Sequence, residues 1–259
     1  MLGQFYIGVL WARIAAAGLM MLAVVASAHA DPTATSVAQS PAAGSTVASD
    51  IRGLSPAKTT TSLAEDLDLV AFGRVVAELD NFDLVPAWRH LLQRATAQDA
   101  LCQHGCGSPT WRALIADLRS LSPAAQLDLV QQRLNRLPYR DDMTNWHQID
   151  YWATPEEFLR KGGDCEDYAI AKYFALRAAG WRVDDLRVML SHRRGDFLGH
   201  AYLIVRASGG WLVLDNRALV PYRPVGPIDG LWAGYSLNEI SLWIHRNIVA
   251  PDFVVSSIH

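Results

Sequence analysis

The sequence predicts one α+β domain in which N-terminal helices and a central, cysteine-bearing helix pack on an antiparallel sheet. Apolar residues recur at helical spacing through much of residues 63–134. A further helix from Asp164 to Gly180 carries apolar residues around more than half of its circumference, as a helix buried inside a domain does. After it come short runs of Leu, Val and Ile bounded by Gly, Ser and Asp, which are typical of strands. Helices followed by strands indicate the α+β class.

Start signals predict the helices in chain order. Four are expected in the first part of the domain, three of them with a proline in the first turn, where proline is tolerated. One spans Leu63–Leu79, and the other three begin at Pro86, Pro109 and Ser122-Pro123. A fifth begins at Thr154-Pro155-Glu156-Glu157, where the first and last residues have the spacing of a capping box.

Strands are predicted at Leu186–Leu190, Ala201–Val205 and Trp211–Leu214, because each is a short aliphatic run between turn residues. The pattern of the tail, Leu237–Ile244, fits a strand or a short helix, and both remain open.

The composition is that of a globular protein. Of the 259 residues, 51% are hydrophobic and 19% are charged, with 23 Lys and Arg against 26 Asp and Glu and a formal charge of -3. The sequence contains no block of like charges, so it lacks the electrostatic footprint that binds a nucleic-acid backbone. We therefore exclude nucleic acids as partners.

The first 61 residues predict two segments outside the domain. The apolar stretch Ile14–Ala28 is closed by Ala28-His29-Ala30, the pattern of a signal peptide cleaved after residues 1–30. An uncleaved membrane anchor is the alternative, because apolar residues continue toward the N terminus. Residues 31–61 are rich in Ala, Ser, Thr, Pro and Gly and predict a flexible linker. The domain then spans 62–259, and the protein is expected to be exported.

Cys165 is the candidate nucleophile. It lies in the first turn of the central helix, directly after Gly162-Gly163-Asp164. Free N–H groups and the positive end of the helix dipole favour a thiolate there, so a lowered thiol pKa is expected. The two glycines would allow close approach of a substrate backbone. The alternative is a buried structural cysteine.

The other two cysteines predict a small disulfide loop. Cys102 and Cys106 are close in sequence, and thiols pair in an oxidising compartment such as the periplasm. A zinc site that includes His90 is the less favoured alternative.

A thiol nucleophile needs a base and a group that orients the base, and the predicted strands carry candidates for both. If Val205 pairs with Gly210 across a four-residue loop, His200 lies directly opposite Asp215, within hydrogen-bonding reach. A two-residue loop at Gly209-Gly210 would instead place His200 opposite residue 219 and remove Asp215 from reach. The proposed pair therefore requires a particular strand register.

A cysteine at a helix start, a histidine on a strand and an aspartate on its neighbour resemble papain-like and transglutaminase-like sites, with Cys165, His200 and Asp215 as the catalytic residues. His192 is a rival base. The adjacent Arg193-Arg194 would disfavour its protonated form, so His200 is preferred.

A longer motif surrounds the cysteine. The run Gly163–Tyr173, preceded by Asp150–Pro155 and followed by His200-Ala201 and Leu214–Asn216, resembles the bacterial transglutaminase-like cysteine peptidases of the LapG type. The resemblance covers roughly 127–216. It implies a papain/transglutaminase-like fold and a periplasmic cysteine endopeptidase that releases a large cell-surface adhesin by cutting its N-terminal region, usually between paired alanines, to control attachment and biofilm. It also implies an inner-membrane cyclic-di-GMP receptor as a partner.

Two other functions are compatible with the same residues. One is another acyl-transfer enzyme, an amidase or a transglutaminase, which would share the site and differ in its acceptor. The other is a catalytically inactive binding protein on the same fold.

The resemblance further implies Ca²⁺. Asp164, Glu166 and Asp167 place three carboxylates within one turn around the cysteine, and such hard oxygen ligands suit this cation. Asp141-Asp142 is considered as a source of one more ligand. An ordinary acidic first turn that complements the helix dipole is the alternative.

An oxyanion hole is expected from the main-chain N–H of Cys165 and one side-chain donor. Gln148 and Trp146 are the candidates for that donor.

Overall fold

The computed structural model describes residues 71–100, 107–193, 199–224, 228 and 231–246. Six helices lie within these residues: α1 (Pro86–Ala100), α2 (Pro109–Arg119), α3 (Pro123–Leu134), α4 (Asp142–Trp146), α5 (Pro155–Lys161) and α6 (Cys165–Ala178). A 3-10 turn at Val183–Asp185 leads into the strands. The strands are β1 (Arg74–Leu79), β2 (Leu186–Arg193), β3 (Gly199–Ala207), β4 (Gly210–Leu214), β5 (Leu231–Leu237) and β6 (Leu242–Arg246).

Side-chain capping marks the starts of α2 and α5, whereas Ser122, at the predicted start of α3, makes no such hydrogen bond. At α2 the Ser108 side chain accepts a hydrogen bond from the main-chain N–H of Trp111, at 3.2 Å. At α5 both halves of the capping box are present, because Thr154 and Glu157 each bind the main-chain N–H of the other. The central helix runs from Cys165 to Ala178, close to the predicted span.

The predicted helix Leu63–Leu79 is correct at residues 71–72, which are helical, and wrong over residues 74–79. Residues 74–79 form β1, which pairs antiparallel with β6 from Arg74 opposite Arg246 to Leu79 opposite Leu242. The adjacent valines, Val75 and Val76, favour extended backbone. Pairing with a strand far along the chain decides the conformation here, and helical spacing alone does not report it. Residues 63–70 of the prediction lie outside the described residues.

The strands form one antiparallel sheet in the order β1-β6-β5-β2-β3-β4. All three predicted strands are confirmed. The tail segment that the pattern left open is a strand end, a turn and a strand: β5 ends at Leu237, β6 begins at Leu242, and Asn238 N–H donates to Ser241 O at 3.0 Å between them.

The register of β3 and β4 differs from both alternatives that the sequence offered. Val205 pairs with Leu212 and Ala207 with Gly210, across a two-residue turn at Ser208-Gly209. Gly209 and Gly210 have φ of +89° and +119°. Positive φ at glycine favours tight hairpin turns, so the connection is two residues shorter than the predicted loop.

Helix α6 lies at the centre of the domain, as predicted. Its side chains Ile170, Tyr173 and Leu176 are fully buried between the sheet and the other helices. The opposite face of the sheet carries a second apolar cluster that includes Met189 and Tyr202. The α+β class, with helices packed against one antiparallel sheet, is confirmed. Among the described residues, no helix has the length and apolar character needed to cross a bilayer.

Candidate active site and carboxylate cluster

Cys165 is the first residue of α6 and is a buried free cysteine, 8% exposed. The backbone before it is fixed by the segment 138–140 of the same chain. Arg140 N–H donates to Gly163 O at 2.9 Å, and Gly163 N–H donates to Pro138 O at 3.3 Å. The start of the helix is therefore anchored to a loop from a separate part of the chain.

The two glycines before the cysteine are explained by packing within the protein. Gly162 has φ of +77°, and a Cβ there would lie 2.1 Å from Pro138 O. A Cβ on Gly163 would lie 2.1 Å from Oδ2 of Asp167. Glycine is needed at both positions because backbone and a carboxylate approach so closely.

His200 and Asp215 meet as predicted, although by a different register. The imidazole Nε2 lies 2.9 Å and 3.0 Å from the two carboxylate oxygens of Asp215. In the observed register Asp215 follows the end of β4 and is a diagonal neighbour of His200. A register change of two residues leaves every side chain on the same face of the sheet, so the pair still forms. Both residues are buried.

Asp215 is held from several sides by residues that sequence reasoning missed. Its carboxylate also accepts hydrogen bonds from the main-chain N–H of Arg217, at 2.8 Å, and from the Arg217 guanidinium, at 3.3 Å. Its carbonyl oxygen accepts from the side-chain amides of Gln131, at 2.7 Å, and Asn135, at 3.1 Å, both of which come from α3 and the residue after it. A buried amide on a helix has no local sequence signal for such a role.

These partners determine the charge state of Asp215. Burial alone would raise its pKa, but the hydrogen bond and charge of His200, together with Arg217, outweigh burial and lower the pKa to about 2. The carboxylate is therefore ionised at neutral pH and accepts the imidazole N–H at Nε2. The other ring nitrogen, Nδ1, is left for a second partner.

Cys165 lies beside the strand that carries His200. A main-chain hydrogen bond from Ala201, the next residue on β3, reaches the thiol, and the thiol donates to Oε2 of Glu166 at 3.2 Å. A cleft opens at this point. Its lining residues are Asp150, Trp152, Glu166, Leu190, Ser191, His200, Ala201 and Tyr235.

The thiol pKa runs against the expectation from the helix dipole. Burial raises the pKa of Cys165 first, and the carboxylates of Glu166 and Asp164 raise it further. The Ala201 hydrogen bond acts in the opposite direction without outweighing them. The nearby carboxylates thus dominate the electrostatics of this turn.

Five carboxylates gather around the start of α6, in two groups that share Asp142. In each group one ligand atom per residue lies within 4.8 Å of the others. The groups are Asp142, Asp164, Asp167 and Asp142, Asp150, Glu166.

The three predicted ligands, Asp164, Glu166 and Asp167, all belong to this cluster, but they divide between its two groups. Asp142 joins both groups, whereas its neighbour Asp141 caps α4 by accepting from the main-chain N–H of Thr144 at 2.8 Å. Sequence reasoning did not include Asp150 as a ligand, and no local spacing connects it with the cysteine turn.

The cluster has the chemistry of a site for a hard cation. Within the described part of the chain, three buried carboxylate oxygens lack a hydrogen-bond partner: Asp142 Oδ1, Asp164 Oδ1 and Asp167 Oδ2. The second oxygens of Asp142 and Asp167 are fixed by the main-chain N–H groups of Tyr151, at 2.6 Å, and Ala153, at 2.7 Å. Orphaned buried oxygens of fixed side chains are costly unless something binds them.

Mutual repulsion is visible in the same residues. Burial and the charge of Glu166 raise the pKa of Asp142 to about 8 and that of Asp150 to about 6. The same two causes, in the same order, raise the pKa of Asp164 and Asp167. An oxygen-only donor set of this kind suits Ca²⁺.

The remaining predicted candidates lie as follows. The indole N–H of Trp146 is buried and has no hydrogen-bond partner among the described residues, and Gln148 is exposed. His192 pairs with Gly199 across the sheet, and its ring contacts Trp232, at 6.2 Å between centroids, so it does not take the place of His200. His90 is exposed on α1. The predicted disulfide Cys102–Cys106, the signal peptide and the linker lie outside the described residues.

Residues 103–220 match the model of the family described as bacterial transglutaminase-like cysteine proteinase, BTLCP. A solved structure of Legionella pneumophila LapG is 32% identical, over 52% of this chain and 76% of that chain, with a TM-score of 0.44. An EGTA-treated form is also 32% identical, over 52% and 74%, with a TM-score of 0.44. A calcium-bound form is 26% identical, over 65% and 93%, with a TM-score of 0.46. None of the curated proteins matches this chain.

Proposed function

The chain belongs to the bacterial transglutaminase-like cysteine proteinases, and from this premise we propose that it is a calcium-dependent periplasmic endopeptidase that cleaves the N-terminal region of a large cell-surface adhesin. The observation that carries the proposal is the buried pair of His200 and Asp215 beside the helix start that bears Cys165. Nucleophile, base and orienting group are the parts that a cysteine peptidase needs.

The proposed roles follow from the hydrogen bonds. Asp215 holds Nε2 of His200, so Nδ1 is the ring nitrogen that takes the proton of the Cys165 thiol. The thiolate attacks the carbonyl carbon of the scissile peptide and forms a C–S bond. The imidazolium then gives its proton to the leaving amine as the C–N bond breaks. Water, deprotonated by the same imidazole, attacks the thioester carbonyl. The C–S bond breaks, the acid is released, and the imidazolium returns its proton to the Cys165 thiolate.

Charge on the carbonyl oxygen must be stabilised during attack. The main-chain N–H of Cys165 is at the start of a helix, where N–H groups have no partner within the helix. We assign the second donor to the indole of Trp146 in preference to Gln148, because the indole N–H is buried and lacks a partner among the described residues.

Calcium would bind the carboxylate cluster through Asp142, with Asp164 and Asp167 or with Asp150 and Glu166 as the further ligands. Bound there, the ion would supply positive charge beside Cys165 and offset the repulsion that the carboxylates exert on a thiolate. The orphaned oxygens of the cluster support this assignment.

The remaining parts of the proposal come from the sequence. The pattern of residues 1–30 supports export and a periplasmic location. The eleven-residue run around the cysteine supports the adhesin as substrate and an inner-membrane cyclic-di-GMP receptor as regulator, through its resemblance to the LapG type.

The test is cleavage of a purified adhesin N-terminal fragment that contains paired alanines. The mature chain is assayed with calcium and with a chelator, beside Cys165→Ala, and the products are identified by mass. Two peptides that appear only with calcium and the intact thiol are the expected result. A product joined to an added amine would indicate a transglutaminase instead. No reaction by folded, calcium-loaded protein would refute the proposed substrate.

A further inference from the structure

A lysine lies buried in the centre of the domain. Lys172 of α6 is 0% exposed, and its ammonium donates a hydrogen bond to the Leu214 carbonyl at 3.3 Å. Burial of an ammonium group costs several kcal/mol, and an apolar side chain of similar volume generally serves packing as well or better. Stability of the core therefore does not explain a lysine at this position.

Its place relative to the candidate active site follows from helix and strand geometry. Lys172 comes seven residues after Cys165, so the two side chains lie on one face of α6, about 10 Å apart along its axis. The three steps along β3 from His200 to Leu203 cover about the same distance, and Leu203 pairs with Leu214. The helix face that presents Cys165 near His200 therefore presents Lys172 to the end of β4.

That end of β4 is the point from which Asp215 departs. Leu214 is its last residue, and Asp215 comes next and binds His200. Burial lowers the pKa of Lys172 to about 7, while the charge of Asp215 acts in the opposite direction. Ammonium and carboxylate are thus within electrostatic reach of each other. Contacts from Arg217 hold the carboxylate of Asp215 as well.

We propose that Lys172 is a positioning residue for the candidate catalytic pair: its bond to the Leu214 carbonyl and its charge hold Asp215 against Nε2 of His200. The side chain touches neither substrate nor thiol in this role and acts through Asp215. The inference rests on the proposed function, because it takes the pair of His200 and Asp215 as the catalytic base.

A double-mutant cycle tests the coupling. Lys172→Met, Asp215→Asn and the double variant are compared with the calcium-loaded wild-type chain in cleavage of the adhesin fragment. Misplaced catalytic groups cost about 10- to 100-fold, so Lys172→Met is expected to lower kcat by that range with KM within about twofold. In the Asp215→Asn background, Lys172→Met is expected to lower kcat by less than about a further twofold, because the effects of coupled residues on kcat are not additive. The control is Gln126→Met, a buried amide of α3 that binds Leu118 O and Trp181.

The control separates positioning from general loss of packing. Gln126→Met is expected to lower Tm and leave kcat near the wild-type value. If Lys172→Met does not fold, Lys172→Gln takes its place in the cycle, since it keeps a donor for Leu214 O and loses the charge. A variant with wild-type kcat, or an equal loss in both backgrounds, would overturn the inference.

A second readout does not depend on any substrate. The proton that Nε2 of His200 donates to the Asp215 carboxylate is expected to give a low-field NMR resonance, and its loss in Asp215→Asn would assign it. Substitution of Lys172 is expected to shift this resonance or broaden it by exchange, whereas Gln126→Met leaves it unchanged. If the wild-type chain does not cleave the adhesin fragment, the proposed function fails, but the resonance still tests the role of Lys172. A resonance that is unchanged in the Lys172 variant refutes that role.

Discussion

Replacement of Asp215 by asparagine is the substitution with the clearest consequences. Asparagine keeps the shape of the side chain and removes its charge. The carboxylate accepts from His200 at 2.9 and 3.0 Å and from the main-chain N–H of Arg217 at 2.8 Å. An amide has one oxygen and one NH₂ group. In Asp215→Asn the NH₂ group must therefore face the N–H of His200 or that of Arg217, where no acceptor remains.

The effect on stability can be worked from the pKa. The pKa of Asp215 falls from its ordinary value of 3.8 to about 2 in the folded protein. A pKa difference of one unit corresponds to 1.36 kcal/mol, so the ionised carboxylate contributes roughly 2 kcal/mol to the free energy of unfolding. Because the folded pKa is the lower one, this contribution is present above about pH 5 and is lost as pH falls through 4 toward 2.

Catalysis is expected to suffer more than stability. Without the carboxylate, His200 loses the group that fixes its tautomer and stabilises the imidazolium, and kcat is expected to fall on the order of 10³-fold or more. The measurement is kcat/KM on the adhesin fragment with calcium, together with urea unfolding of Asp215→Asn and wild type between pH 3 and 7.

The control carries the same substitution in a surface ion pair. Asp185 accepts from Arg206 Nε at 2.9 Å, and Asp185→Asn is expected to cost less than about 1 kcal/mol with unchanged kcat. A stability difference between Asp215→Asn and wild type that does not shrink toward pH 3 would contradict the electrostatic reasoning. Wild-type kcat in Asp215→Asn would refute the assigned role.

Two further predictions concern the cation and the oxyanion. Asp142 belongs to both carboxylate groups and Asp141 to neither. Asp142→Asn is therefore expected to weaken calcium affinity at least about tenfold, whereas Asp141→Asn is expected to leave that affinity within about twofold of wild type. Calorimetric titration of each calcium-free variant with calcium measures the two affinities, and equal values would exclude the cluster as the calcium site. Trp146→Phe removes the buried indole N–H and keeps an aromatic ring. Its kcat is expected to fall about 100-fold with KM little changed, whereas Gln148→Ala is expected to leave kcat unchanged. If steady-state kinetics show the loss of kcat in Gln148→Ala instead, the oxyanion donor is Gln148.

Prediction succeeded where the physical cause is local. The start of α5 follows from the capping box of Thr154 and Glu157, whose partners are three residues apart. The start of α6 at Cys165 follows from the glycines before it and the apolar residues after it. These signals require no knowledge of the rest of the fold.

The pairing of His200 with Asp215 was predicted through a register that is wrong. The observed turn is shorter, because Gly209 and Gly210 adopt positive φ. The error amounts to two residues along the partner strand, which preserves the face on which each side chain lies. Alternation along a strand is thus more readily predicted than the exact opposite residue.

By itself the sequence determined the class of the fold, the helix around Cys165 and three of the clustered carboxylates, because residues within a few positions of one another dictate these features. Only the tertiary structure decided that residues 74–79 form a strand, through their partners in β6. It also brought Asp142 and Asp150 to the cysteine turn and Lys172 to the carbonyl before Asp215. Such contacts join segments distant in the chain, and the energy that selects them comes from burial and pairing that exist only once the domain has folded.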